Sequence, residues 1–137
     1  MTEDKNDREE NKTASLTGQD IDAAGEISPV IIEELRKIRK GSAGLIELKG
    51  PSIGEKFLIK RDVLTIGRSS DSDILLDDIT VSRQHALIEK IPDGFLIKDL
   101  ESLNGTYLNG EIINEAVLLK KGDKIQIGKY IFLFFSF

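Results

Sequence analysis

The chain has 137 residues, of which 39% are hydrophobic and 31% charged, a size and composition that fit one globular domain with an additional segment. Residues 1–28 carry eight acidic and three basic side chains and residues 29–137 carry 16 of each, so the net charge of −5 belongs to the N-terminal segment. The neutral remainder speaks against a nucleic-acid-binding protein, and the absence of cysteine excludes disulfides and thiolate metal sites.

The N-terminal segment, residues 1–27, is charged, rich in Asn, Thr and Asp, and nearly free of large apolar side chains. Such a segment cannot bury enough surface to offset the entropy cost of ordering, so it is predicted to be a disordered acidic tail. It lacks the basic and apolar regions of a signal peptide, and no apolar run in the chain approaches the roughly 18 residues of a membrane span. We therefore expect a cytoplasmic protein with no membrane partner.

A short helix is predicted after the tail, within residues 28–43. Ser28 suits an N-cap, Pro29 suits the first helical position, and basic residues accumulate towards the end of the segment. The apolar residues are spaced by four and three and so form one narrow stripe: Ile31, Leu35 and Ile38. The pattern predicts a helix of about 12 residues, residues 29–39, which needs a docking surface because a helix this short is marginal alone.

From residue 44 onward the chain becomes a series of short apolar runs. Nine of them are rich in Ile, Leu, Val and Phe and bounded by turn-forming residues: LIELK, KFLIK, VLTIG, DILLD, HALIEKI, GFLIKDL, AVLL, KIQIG and YIFLFF. No segment between them is long enough for a crossover helix, so residues 44–137 are predicted to form an antiparallel all-β sandwich or barrel. The last run is apolar on both faces, and the helix is a candidate to cover it.

Polar residues that can bind an anion stand between these runs. Arg68 follows Gly67 at the end of a predicted strand, which brings a planar guanidinium, suited to bidentate phosphate binding, to the rim of a sheet. Ser82 and Arg83 add a hydroxyl donor and a second cation one residue apart. Each of these residues is also common in ordinary solvated turns, so only their combination indicates a site.

His85 is the only histidine of the chain and lies three residues after Ser82, a spacing that admits a nucleophile and its base. The sequence assigns no acidic partner to the ring. We therefore interpret His85 as a structural hydrogen-bonding residue, and the enzyme hypothesis rests on Ser82 and His85 alone.

Two Asn-Gly pairs, which begin at Asn104 and Asn109, are the strongest turn signals of the chain because both residue types tolerate positive φ. Asn109 is interpreted as a turn residue. For Asn104 two roles stay open, a turn and a contact with the backbone of a bound peptide.

Neither a metal nor a cofactor is expected. The acidic residues Asp71, Asp73, Asp77 and Asp78 lack the central glycine and terminal glutamate of a calcium loop. No GxGxxG or GxxxxGK string occurs, so no motif supports a nucleotide site.

Several of these loop residues together resemble the signature of the forkhead-associated (FHA) domain. The matching strings are, in order, Gly67-Arg68, Ser82-x-x-His85, Ser102-x-Asn104-Gly105-Thr106 and Asn109-Gly110. With the flanking strands the resemblance covers roughly residues 44–137. It implies a two-sheet antiparallel β-sandwich of about 11 strands, whose loops at one end bind phosphothreonine peptides without catalysing a reaction.

The resemblance also implies a role for each matching residue. Ligand contacts would come from Arg68 and Ser82 to the phosphate, from Arg83 as added charge or a backbone contact, and from Asn104 to the peptide main chain. The loops would be shaped by Gly67, His85, Gly105, Thr106 and Asn109. The chain departs from many relatives at Leu103, where they carry a hydroxyl residue, which leaves Ser102 or backbone amides to supply that donor.

The run DSDILLDDITVSRQHA behind an acidic tail is similar to that of small actinobacterial FHA regulators. In those proteins a kinase phosphorylates an N-terminal threonine, and the domain then binds its own tail and releases metabolic enzymes. The similarity implies a Ser/Thr kinase and a metabolic enzyme as partners, and the tail itself or another threonine-phosphorylated protein as ligand. Thr17, with Asp20 three residues on, and Thr13 are the candidate phosphorylation sites, although both also fit ordinary tail threonines.

A second hypothesis is a scaffold that binds another protein without phosphate. It would use a sheet face, with apolar surface near residues 130–137 or on the predicted helix of residues 29–39. The two hypotheses are compatible with each other.

Overall fold

Residues 27–137 are described by a computed structural model, in which one helix precedes eleven β-strands. The elements are α1 (Pro29–Arg36), β1 (Ala43–Lys49), β2 (Lys56–Leu58), β3 (Val63–Gly67), β4 (Ile74–Leu75), β5 (Ala86–Ile91), β6 (Gly94–Asp99), β7 (Thr106–Leu108), β8 (Glu111–Ile112), β9 (Val117–Leu118), β10 (Lys124–Ile127) and β11 (Tyr130–Ser136). Within these residues no helix is both long and apolar enough to span a membrane.

The strands form two sheets, one with the order β2-β1-β11-β10-β7-β8 and one with the order β4-β3-β5-β6-β9. The predicted β-sandwich is confirmed, but antiparallel pairing throughout is wrong for one pair, because β3 and β4 are parallel. Asp73 explains this exception: its carboxylate accepts a hydrogen bond from Thr65 N at 2.8 Å, and its own N–H donates to Thr65 Oγ1 at 2.9 Å. These two bonds fold the preceding loop back, so that β4 runs alongside β3.

Strands β7 and β8 were not among the nine predicted runs, because their residues, TYL and EI, do not form an apolar run. The turn between them, and not an apolar pattern, sets their pairing. Asn109 and Gly110 both have positive φ, 52° and 89°, as the Asn-Gly signal predicts for a tight hairpin. The hairpin places Tyr107 opposite Ile112 at the edge of the larger sheet.

The main core lies between the sheets and is filled by alternate residues of the strands. From β11 it receives Phe132 and Phe134, and from β1 it receives Leu45. Leu133 and Phe135, the intervening residues of β11, point to the opposite face of the same sheet and belong to a second apolar cluster. Because β11 contributes to both clusters, it is apolar on both faces, as its sequence shows.

Helix α1 covers the outer face of the larger sheet, so the prediction that it covers the last strand, β11, is confirmed. Ser28 caps it by accepting a hydrogen bond from Ile31 N at 3.3 Å, and the predicted apolar stripe contacts the outer face of the sheet. The helix ends at Arg36 and has 8 residues, shorter than predicted. Beyond Arg36 the chain tightens, and Ile38 N donates to Leu35 O three residues back, a bond that still brings Ile38 onto the buried stripe.

An ion pair and a hydrogen bond join the turn between β10 and β11 to the segment between β4 and β5. Lys129 Nζ pairs with Asp78 at 2.9 Å, and Lys129 N donates to Thr80 Oγ1 at 3.2 Å. Hydrogen bonds from Thr80 and then from Lys129 lower the pKa of Asp78 from 3.8 to about 2. The carboxylate thereby fixes the loop that precedes β5.

Removal of the buried contact of α1 will destabilise the whole domain. Leu35 is 1% exposed, so the Leu35→Ala variant should lose about 2–5 kcal/mol of unfolding free energy, measured by urea denaturation. Val30→Ala is the matched control, because Val30 lies on the same helix but is 59% exposed, and it should change stability by no more than about 0.5 kcal/mol. Equal effects of the two substitutions would show that α1 does not depend on this packing.

The contribution of Asp78 to stability should depend on pH in the acid range. Its folded-state pKa of about 2 lies below the ordinary 3.8, so the ionised group stabilises the fold above about pH 4, and this contribution is lost as the pH falls towards 2. In urea titrations, the difference between the parent chain and Asp78→Asn should be constant between about pH 7 and pH 5 and shrink below about pH 4. A difference that stays unchanged down to about pH 3 would contradict this assignment.

Candidate functional site

Three loops meet at one end of the sandwich: residues 68–73 after β3, residues 76–85 between β4 and β5, and residues 100–105 between β6 and β7. They are joined by bonds between residues that the sequence singled out. Arg68 N donates to Ser82 O at 3.0 Å, and Asn104 Nδ2 donates to Thr80 O at 3.1 Å. The structure thus brings Arg68, Ser82 and Asn104 together on one surface.

Ser82 lies at the centre of this surface. Its N–H donates to His85 Nδ1 at 3.0 Å, and its Oγ accepts a hydrogen bond from Leu103 N at 3.0 Å. Among residues 27–137 the hydroxyl proton has no acceptor. The hydroxyl is therefore held in place by the neighbouring loop and still has a proton to donate to an anion.

The two arginines flank Ser82 and are exposed. Arg68 Nε donates to Val81 O at 3.0 Å, which fixes the guanidinium while its terminal amino groups face solvent. Arg83 accepts a bond from Ser69 N through its carbonyl oxygen, and within the described part of the chain its side chain has no hydrogen bond or ion pair. Within residues 27–137 neither guanidinium forms an ion pair, so both charges are available to an anion.

His85 is fully buried and joins two of the loops. Its Nδ1 accepts from Ser82 N, so Nε2 carries the proton and donates to Gly105 O at 2.9 Å. Both ring nitrogens are thus used, and the ring contacts the backbone of Ser82 rather than its hydroxyl. This geometry is what a structural role for His85 requires, and it does not pair the imidazole with the Ser82 hydroxyl.

The loop of residues 100–105 is organised by Asp99, at the end of β6. Its carboxylate accepts hydrogen bonds from Ser102 Oγ at 2.6 Å, Ser102 N at 3.1 Å and Thr106 Oγ1 at 2.7 Å. Burial raises the pKa of Asp99, but these hydrogen bonds outweigh it, so the pKa lies below its ordinary value. Ser102 Oγ also accepts from Gly105 N at 3.0 Å, which occupies Ser102 within the loop.

Asn104 leads out of this loop towards solvent. Its side chain is exposed, and beyond the bond to Thr80 O its amide oxygen and second amide proton have no partner among residues 27–137. Gly105, with φ of 85°, makes the turn that places it there. The amide can therefore pair with the N–H or C=O of an extended peptide, one of the two roles that the sequence left open.

Gly67 acts through its backbone, whereas Asn109 acts through its side chain. A Cβ on Gly67 would overlap the carbonyl oxygen of Arg83, so Gly67 permits the close approach of two site loops. Asn109 lies at the far end of β7, away from the site, where its side chain accepts from Lys124 N at 2.9 Å and donates to Asp123 at 3.0 Å. It shapes a hairpin turn and is not part of the surface around Ser82.

The sequence did not single out Thr80 and Asp99, which accept hydrogen bonds that hold the loops of the site in place. The spacing Asp99-x-x-Ser102 is a local hydrogen-bonding signal that could have indicated the latter. Sequence reasoning also missed Ile79, an aliphatic side chain at the rim that is 93% exposed, and it noted Leu103, which is 89% exposed, only as a position without a hydroxyl.

Within residues 27–137 no group of three or more His, Asp or Glu side chains is arranged to hold a metal ion. The candidate phosphorylation sites Thr13 and Thr17 lie outside the residues that the structure describes. The surface presents groups that can bind an anion: two exposed guanidinium groups, a hydroxyl donor and an amide with unused hydrogen-bonding groups.

Comparison with known proteins gives a consistent result. Residues 64–128 match the model of the FHA domain family. The oxoglutarate dehydrogenase inhibitor of Corynebacterium jeikeium is 45% identical over 109 residues, which are 80% of this chain and 73% of that protein. The glycogen accumulation regulator GarA of Mycobacterium tuberculosis is 46% identical over 96 residues, so this chain matches 59% of the length of GarA.

Among solved structures, Mycobacterium tuberculosis EmbR in complex with a low-affinity phosphopeptide superimposes with a TM-score of 0.66 at 34% identity. The match covers 72% of this chain and 25% of EmbR, so it concerns one part of that larger protein. By its sequence match, its two-sheet fold and its loop residues, this chain belongs to the FHA domain family.

Proposed function

We propose that the chain is an adaptor that binds threonine-phosphorylated peptides through Arg68, Ser82, Arg83 and Asn104. The observation that carries this proposal is the position of Ser82, whose hydroxyl is held by Leu103 N and flanked by two exposed arginines. Peptides of this kind are the ligands of FHA domains, and EmbR, a structural neighbour, was solved with a phosphopeptide. Because phosphothreonine is made by Ser/Thr protein kinases, the adaptor acts in kinase signalling.

The contacts available are strong enough for reversible binding. A phosphothreonine side chain carries about −1.5 to −2 charges and three acceptor oxygens. Hydrogen bonds to charged groups contribute roughly 1.5–3 kcal/mol each. Two or three of them, with backbone bonds at Asn104, amount to about 8 kcal/mol, which corresponds to a micromolar dissociation constant.

The role we propose is binding and not catalysis. Ser82 and His85 do not form a nucleophile and base pair, because Nδ1 of His85 accepts the backbone N–H of Ser82. The relative from Corynebacterium jeikeium is named as an inhibitor of oxoglutarate dehydrogenase, which favours a metabolic enzyme as one partner of this chain.

The scaffold hypothesis loses the surfaces on which it relied. Leu133 and Phe135 of β11, together with Ile31 and Leu35 of α1, are buried against each other. A partner protein would have to displace the helix to reach them. We therefore assign the partner to the loop end of the sandwich.

We further propose that the chain can bind its own tail when Thr13 or Thr17 is phosphorylated. Ile27 packs in the cluster under α1, so the tether begins there. Thr17 precedes Ile27 by ten residues and Thr13 by fourteen, which gives fully extended spans of roughly 35 and 50 Å. A domain of this size has a diameter on the order of 30 Å, so Thr13 reaches the loop end with more slack than Thr17.

Loss of one phosphate contact should remove most of the preference for phosphorylated ligand. The Arg68→Ala variant should bind a threonine-phosphorylated peptide about 10- to 100-fold more weakly, from the loss of roughly 1.5–3 kcal/mol, measured by calorimetric titration. Its affinity for the unmodified peptide should not change. The matched control is Arg36→Ala, since Arg36 is exposed at the end of α1 and lies outside the three loops. Equal binding of both peptides by the parent chain would refute the proposed function.

Tail phosphorylation should lower the apparent affinity for added phosphopeptide. A short tether gives an effective concentration near the millimolar range, so a micromolar site should be occupied in cis and bind added peptide on the order of 100-fold more weakly. Chains carrying phosphothreonine at position 13 or at position 17, prepared by semisynthesis, should show this in titrations at low chain concentration. Unchanged affinity in both would exclude occupation in cis while leaving binding of other phosphopeptides intact.

A further inference from the structure

An open groove of about 800 Å³ lies directly beside Asn104, between the loop of residues 100–105 and the segment that follows β8. Its apolar lining includes Leu103, which is 89% exposed, Ile112, which is 51% exposed, and half-buried Tyr107. Exposed aliphatic groups that adjoin a binding surface are typical of a contact area for a ligand. The groove therefore extends the surface around Ser82 along the path of a bound peptide.

Close packing and hydrogen bonds fix the two segments that form the groove. Gly105, at its edge, has φ of 85°, and a Cβ at this position would meet Ile112 Cδ1 at 2.7 Å, so the loop and β8 are in close contact. Asp99 anchors the same loop through its hydrogen bonds to Ser102 and Thr106. The groove is thus set by the same bonds that place Asn104.

The charge of the groove is opposite to that of the phosphate-binding surface. Glu101 and Glu115 line it, both are exposed, and neither has an ion pair or hydrogen bond with any residue of the described range. Lys98, the only cation among its lining residues, is paired with Glu89 at 2.7 Å. Two carboxylates are consequently free to attract a cation, whereas Arg68 and Arg83 attract the phosphate.

We propose that this groove, which we name the acidic groove, binds a Lys or Arg side chain of the phosphorylated ligand. The long aliphatic stem of such a side chain suits Leu103, Ile112 and Tyr107, and its charged head suits the two carboxylates. The inference rests on the proposed function, because the groove gains its ligand from a peptide held at Ser82 and Asn104. It adds a specificity rule: the preferred ligand is a phosphothreonine segment with a nearby basic residue.

The proposed preference also predicts which ligand residues bind the acidic groove less favourably. An acidic ligand residue at the same position would face Glu101 and Glu115 and be repelled. A short apolar residue would gain only the contact with the apolar side chains that line the groove. Since the groove is exposed to solvent, each charge pair is a modest contribution and is screened by salt. The groove therefore ranks phosphorylated ligands and does not replace the phosphate as the main determinant.

The test is a set of synthetic phosphothreonine peptides in an otherwise neutral alanine and glycine background. A single Lys, Glu or norleucine is placed in turn at each of about four positions on either side of the phosphothreonine, and affinity for the full chain is measured by fluorescence anisotropy. At one or two adjacent positions Lys should bind about two- to fivefold more tightly than Glu, as expected for exposed charge pairs. Norleucine should lie between them.

Variants assign the preference to the groove. Glu115→Gln and Glu101→Gln should each reduce the Lys-over-Glu ratio at that position, and the double variant should abolish it, while the affinity for the all-neutral phosphopeptide stays unchanged. Glu33→Gln is the matched control, because Glu33 is exposed on α1 and lies outside the groove. Rising salt should lower the ratio in the parent chain but not in the double variant.

Two results would overturn the inference. One is an affinity that does not depend on the sign of the ligand charge at any position, and the other is a Lys preference that persists in the double variant. Both leave the proposed function intact as long as the neutral phosphopeptide binds more tightly than its unphosphorylated form. If that difference is absent, the proposed function itself fails, so the two failures are distinguishable.

Discussion

The buried ring of His85 is the interaction on which the functional end of the molecule depends. Three loops without regular secondary structure have to hold a hydroxyl, two guanidinium groups and an amide in fixed positions. The ring ties the backbone N–H of Ser82 to the carbonyl oxygen of Gly105, two groups that lie 23 residues apart in the chain. An unpaired buried polar group costs about 1–3 kcal/mol, so a smaller side chain here would lose both bonds and leave their partners unsatisfied.

A second constraint comes from β11, which serves two layers. Phe132 and Phe134 fill the space between the sheets, whereas Leu133 and Phe135 lie beneath α1. This arrangement explains why a helix of only 8 residues is stable, since its apolar stripe completes a surface that the sheet cannot leave in water. It also fixes Ile27, the last residue of the predicted tail, on one face of the sandwich.

Much of this could be predicted from the sequence where the signal is local. Ser28 and Pro29 correctly marked the start of α1, and the Asn109-Gly110 pair marked a turn with two positive φ angles. The strands β7 and β8 were not predicted, because they contain too few apolar residues to form a run; the Asn-Gly turn pairs them with each other, and β10 pairs with β7. The parallel pairing of β3 with β4 depends on the side chain of Asp73, which no periodicity reports.

The sequence singled out residues that the structure brings together, but it did not indicate how the hydrogen bonds of similar residues differ. Ser82 and Ser102 look alike in sequence, yet Ser82 Oγ has a free proton, whereas the hydroxyl proton of Ser102 is donated to Asp99. The difference arises from what each loop packs against. Arg68 and Ser82 are in turn held by a backbone bond without a ligand, so the binding that we propose would not have to order their loops and would lose little affinity to entropy.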